Sequence, residues 1–160
     1  MVLIVGGVLA FGYYRIEAWR FRTGEAKRIA EAATVTGFVR MAIVDVPDGD
    51  NLPNAAAYFI GPAPRPDPLA VVSVPTIPLT AADPPVAPAW DPTKYVGIDY
   101  PVATGRRADG CYASATFITN PKPSVEDFRR HSIAVLAPEQ LDEVRKGSKV
   151  FIELDISGCG

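Results

Sequence analysis

Val150-Phe-Ile-Glu-Leu-Asp-Ile-Ser157 (VFIELDIS) alternates Val150, Ile152, Leu154 and Ile156 with Phe151, Glu153, Asp155 and Ser157. A strand turns successive side chains to opposite faces, so this period of two predicts a strand with one buried face. Immediately upstream, APEQLDEVRKGS puts Pro138 where a first helical turn accepts it. Gly147 stands where a helix ends, and Arg145 and Lys146 lie at the negative end of the helix dipole. A short helix over about 138–146 follows. Ser132–Ala137 and Cys111–Thr119 read as further strands. Between them Ser124, with Asp127 three residues on, resembles a capping box and predicts a helical piece through about Arg130. Short strands among many turns give an α+β domain, residues 102–160, with a mainly antiparallel sheet and two short helices.

Cys111 opens one of these strands and Cys159 follows the last, so both sit at element ends of one small domain. In an oxidising compartment a bridge between them closes a loop of about 49 residues and contributes ~4 kcal/mol on the chain-entropy relation. In a reducing one they are two free thiols. No CxxC pair occurs and His131 is the only histidine, so no zinc site is expected.

Proline divides the rest of the chain. None of the sixteen occurs before Pro47, and eleven lie between Pro53 and Pro92. Each proline removes a backbone donor and biases its predecessor toward extended geometry. Residues 47–101 therefore read as an extended segment, with Ala55–Ile60 and Leu69–Val74 as short strands available to the C-terminal sheet. GPAPRPDP between them is a polyproline-like spacer. Trp90, Tyr95 and Tyr100 stand among turn residues and are expected to plug that loop onto a core.

Residues 1–46 have a different character. Met1 to Tyr14 (MVLIVGGVLAFGYY) carries no charged side chain, and as a helix it reaches about 21 Å, short of a ~30 Å hydrocarbon core. Ile16, Trp19, Phe21, Ala26, Ile29, Ala30, Ala33, Phe38 and Met41 then recur mostly at spacings of three and four. One long helix over about residues 2–42 fits that pattern. Tyr13, Tyr14 and Trp19, with Arg20 and Arg22, match the aromatic and basic anchors of a membrane interface. The alternative is a buried strand at residues 1–14 of a soluble binding domain.

The formal charge of -2 and the absence of a concentrated basic surface argue against a nucleic-acid partner. Residues 15–40 nevertheless hold six basic side chains against three acidic ones. By the positive-inside rule that flank favours a cytoplasmic C-terminal domain, whereas the cysteine placement favours the outside. The cysteines fit one specific geometry, so the expectation is a membrane-anchored chain with its C-terminal domain extracytoplasmic or at the cell surface.

No sequence signature demands a chemistry. His131 follows Arg129 and Arg130 at the end of a predicted helix, where a histidine favours the dipole's negative end. Glu126 with Asp127, and Asp142 with Glu143, are adjacent pairs that point to different sides of a helix. GRRADGC (105–111) has the Gly and Asp of a turn and no phosphate-cradling pattern, with Arg106 and Arg107 open to an anion or a partner's carboxylates. A small enzyme would have to assemble a site from His131, Asp99, Asp109 or these arginines. The expectation is a non-enzymatic chain without catalytic, cofactor or metal residues.

An apolar helix becoming amphipathic, followed by a small head with a late cysteine pair, resembles the layout of type IV pilins and single-pass pilus-biogenesis proteins. Position 5 is Val5 where such pilins carry a glutamate. The layout implies a structural or accessory subunit of a membrane-associated or filamentous assembly. Its partners would be other protein subunits, including copies of itself, and membrane lipid at the N-terminal helix.

Overall fold

A computed structural model describes residues 24–46, 54–82, 99–127 and 129–159. The described part opens on a helix, α1, over residues 24–32. Three strands follow: β1 (Thr34–Val35), β2 (Val39–Val46) and β3 (Asn54–Pro62). A single turn of helix, α2 (Pro68–Val71), leads into β4 (Val72–Ser73) and then β5 (Thr80–Ala81). Beyond residue 99 come β6 (Pro101–Arg106), β7 (Tyr112–Ile118), β8 (Ser124–Glu126) and β9 (Ser132–Ala134). Helix α3 (Pro138–Arg145) and strand β10 (Lys149–Ser157) complete the described chain.

Six strands form one antiparallel sheet in the order β2-β3-β10-β7-β6-β5. β1 pairs with β4, and β8 with β9, as two small antiparallel pairs. The strand at 149–157 lies between β3 and β7, the most shielded place in the sheet. Its even-numbered side chains are wholly buried or nearly so. Leu154 sits across from Ala57 on one side and Ala115 on the other, and Ile156 across from Ala55 and Ala113. These small neighbours leave room for the large side chains, for Ala26, Ile29 and Ala30 of α1, and for Ala33 just beyond it, all in the same core cluster. Close approach of an alanine-faced helix to an alanine-rich sheet is how that face fills to interior density.

The opposite face is mixed. Near β2 and β3 it is apolar, where Val44, Ala56, Tyr58, Ile60 and Phe151 pack with Val135, Leu136 and Val144. Tyr58 and Phe151 stack with ring centroids 5.8 Å apart. Helix α3 delivers Val144 to this cluster. Its ends are set by local chemistry: Gln140 Oε1 accepts from Ala137 N–H at the start. At the finish Gly147, at φ 73°, and Ser148 donate back to the carbonyls of Val144 and Glu143.

The mainly antiparallel sheet matches expectation, as do β3 over Ala55–Ile60, β7 within Cys111–Thr119, and α3. Ser132–Ala137 is strand only through Ala134. Several other expectations are corrected. The helix expected over about 2–42 does not reach its expected end: α1 ends by residue 32, and residues 34–35 and 39–46 are strands. Residues 2–23 of that expectation, and the alternative strand at 1–14, lie outside the described residues. Thr34, Val35 and Thr36 crowd a helix at Cβ, and Val35 is buried against the sheet core once it pairs with Val72. A register shift between Arg40 and Ala42 breaks the alternation of β2: Met41 and Ala42 both pack against the opposite-face cluster, while Phe38 packs against the α1-side core.

Leu69–Val74 is not one strand. Asp67 Oδ1 accepts from Leu69 N–H and, with Pro68 at the first helical position, starts α2 instead. The helix expected from Ser124 to about Arg130 is replaced by β8, which hairpins to β9 through a turn that Asp127 holds by accepting from the N–H groups of Arg129 and His131. Among the described residues of 102–160 the only helix is therefore α3. The six-stranded sheet draws strands from all three compositional segments. Tyr100 is 42 % exposed and does not plug a core, while Trp90 and Tyr95 lie outside the described residues.

Candidate functional site

One end of the sheet is locked covalently. Cys111 and Cys159 form a disulfide, with Cα atoms 4.2 Å apart and a sequence separation of 48. Both are buried in the α1-side core. Each follows a glycine with positive φ, Gly110 at 96° and Gly158 at 65°. A Cβ on Gly158 would come within 3.2 Å of the Gly110 carbonyl oxygen, a tight contact added to a backbone conformation that already favours glycine. The bridge thus ties the end of β10 to the β6–β7 turn.

The same turn is tied to α1. Arg107 Nη2 donates to Glu25 Oε1 at 2.6 Å, its Nε donates to Asp109 Oδ1 at 2.8 Å, and Nη2 also pairs with Asp109 Oδ2. The Arg107 guanidinium, through these hydrogen bonds, holds the Asp109 carboxyl well below the usual carboxylate range, at about 2. Asp109, then Glu25, push Arg107 further above its ordinary value. Arg107 is therefore engaged within the chain, and Arg106 lies over the Tyr112 ring at 5.4 Å. The GRRADGC segment is a hairpin turn, as its glycines and aspartate predict.

Of the titratable groups singled out from sequence Arg107 and Asp109 meet, whereas Asp109 and Asp99 are held at opposite ends of β7. Asp109 lies before β7 and Thr119 just beyond its other end, where Asp99 accepts from Thr119 N–H at 3.0 Å and from its hydroxyl at 2.7 Å. A seven-residue strand separates those carboxylates by about 23 Å. His131 is in the β8–β9 turn, not at a helix end, with Nδ1 3.7 Å from Asp127 Oδ2 and its side chain 70 % exposed. Among the described residues no group of three or more His, Cys, Asp or Glu side chains is placed to hold a metal ion. Tyr13, Tyr14, Trp19, Arg20 and Arg22 lie outside the described residues. Among those that are described, no helix is long and apolar enough to cross a membrane.

Tyr58 is a buried polar group that composition and spacing did not flag. Its hydroxyl donates to Glu153 Oε1 at 2.9 Å across the β3–β10 ladder. Burial, reinforced by the Glu153 and Asp155 charges, pushes its phenol above the ordinary value. An unfolded tyrosine ionises near pH 10, so the native contribution is fully present below about pH 10 and is lost as pH rises beyond it. We expect Tyr58→Phe to flatten the alkaline stability loss by at most about 1.4 kcal/mol per pH unit, read from urea midpoints between pH 9 and pH 11.

At the end of the sheet opposite the disulfide lies a cleft of about 270 Å3. It opens where β3 ends, β7 ends, β10 begins and α3 finishes. Arg65, Arg145 and Lys149 stand around it, Thr119 lies at its wall, and Val144, Val150 and Phe151 supply apolar surface. Antiparallel pairing of β3 with β10, which sets Pro62 opposite Lys149, brings Arg65 close to a residue 84 positions later. Read in sequence, Arg65 belongs to a spacer and Arg145 to a helix end; only the strand pairing joins them.

No protein-family model matches the chain, and no curated protein or solved structure matches it either.

Proposed function

We propose that the chain is a non-enzymatic accessory or structural subunit of a membrane-associated assembly, tethered through its N-terminal residues, with the sheet domain outside the cytoplasm contacting other proteins. The observation that carries this reading is the Cys111–Cys159 disulfide. Bridges of this kind persist in oxidising compartments and are rare in the cytosol. The described polar groups also support it. Arg107, Asp109 and Glu25 clamp a helix to a turn, and Asp99 and Asp127 hold backbone N–H groups, all of them structural tasks.

A pilin-like subunit is the second reading. It is favoured by α1 packing its alanines across one face of an antiparallel sheet whose last strand is closed by the late cysteine pair. Both readings are tested by adding protease to intact and to osmotically opened cells that produce the full chain with a C-terminal tag. The expected result is a membrane-pelleting protein that resists a high-salt wash and whose domain is digested without breaching the inner membrane. A salt-soluble protein protected until the membrane is lysed would overturn both.

A further inference from the structure

We propose that the cleft bounded by Arg65, Arg145 and Lys149 docks an acidic side chain, glutamate or aspartate, presented by a partner protein. This rests on the reading of the chain as a protein-contacting subunit and gives that contact its chemistry.

Charge is the first ground. Three cationic side chains border the cleft and no Asp or Glu lines it. Among the described residues none of the three cations forms an ion pair, whereas Lys27 and Arg107 elsewhere each have a carboxylate partner. The C-terminal end of α3 works in the opposite sense, because a helix presents about half a negative charge there. That half charge is outweighed by three full positive ones. It is further blunted by Gly147 N–H, Ser148 N–H and the Ser148 hydroxyl, which donate to the last-turn carbonyls of Val144 and Glu143. Asp99 is the carboxylate on the neighbouring Thr119, and both its oxygens are occupied by that residue.

Shape and surface are the second ground. The Arg65 guanidinium carbon sits 5.5 Å from the centroid of the Phe117 ring. A guanidinium resting on a ring keeps its in-plane N–H groups available for a bidentate carboxylate. The cleft is smaller than the roughly 300–1,000 Å3 typical of small-molecule sites. Its apolar wall at Val144, Val150 and Phe151 suits the methylene stem of an acidic side chain. A free inorganic anion would leave that wall unused.

The test is an amide chemical-shift titration of the full-length, oxidised protein in detergent micelles. Three probes are compared: an end-blocked glutamate-rich pentapeptide, the same peptide with glutamine for glutamate, and inorganic phosphate. The expected result is saturable shifts around residues 65, 119 and 145–150 with the glutamate peptide alone, weakening as salt is raised. Arg65→Gln and Lys149→Gln should each weaken binding about tenfold while leaving distant amides in place. Absence of saturable shifts, an equal response to the glutamine peptide, or phosphate saturating the same amides as tightly would each overturn the proposal. Binding is measured on purified protein and topology in cells, so failure of the docking proposal is distinguishable from failure of the exported-subunit reading.

Discussion

Replacing Cys111 and Cys159 together by alanine is expected to lower the unfolding free energy by about 4 kcal/mol. The bridge joins residues 48 apart, and cross-linking a loop of that length removes entropy chiefly from the unfolded chain. Alanine is the cleaner replacement for two cysteines that are 0 % and 1 % exposed, because buried serine hydroxyls would add a desolvation cost of their own. Against a typical total of about 5–15 kcal/mol, the loss is a large fraction. The bridge also closes the path from the end of β10 to the β6–β7 turn that Arg107 ties to α1. Urea unfolding of the variant and of the reduced wild type should agree to within about 1 kcal/mol. A loss below about 1 kcal/mol in both would show that the bridge is incidental to the fold.

The second large effect is expected at Leu154. It is fully buried in the central strand, and its partners across the ladder on both sides are alanines. Those alanines cannot reach into the space a shortened side chain vacates, and Ala26 and Ala30 of α1 on the same face are no longer. Leu154→Ala should therefore sit toward the upper part of the ~2–5 kcal/mol range for such truncations. Val39→Ala, on the edge strand β2 and 66 % exposed, should fall within about 0.5 kcal/mol of wild type. Comparable losses at the two positions, measured by the same urea unfolding, would mean that β10 is not the centre of the core.

That centre was legible in the sequence because β10 places an apolar residue at every second position from Val150 to Ile156 and is preceded by a helix with conventional end signals. The partnership of Cys111 with Cys159 was legible for a related reason: both flank recognisable strands. Legibility failed where a local irregularity disguised the period. The bulge in β2 breaks its period of two, and Phe38 and Met41, three apart in sequence, fit a helical pattern although they pack on opposite faces of the sheet. Ser124 and Asp127 offered a capping pattern, but Asp127 spends its oxygens on a hairpin turn, and Val125 gains burial by facing the second core cluster from β8. The basic cleft had no local signal at all. Arg65, Arg145 and Lys149 come from a loop, a helix end and a strand start, and only long-range pairing of β3 with β10 and β7 with β10 assembles them.

An exported domain should carry the Cys111–Cys159 bridge in cells, and thiol counting tests that most directly. Cells producing the native chain are quenched in acid, treated with an alkylating reagent without reductant, and the intact protein is weighed. The expected mass is two hydrogens below that of the reduced chain, with no alkyl group added. Two alkyl groups, one each on Cys111 and Cys159, would contradict it.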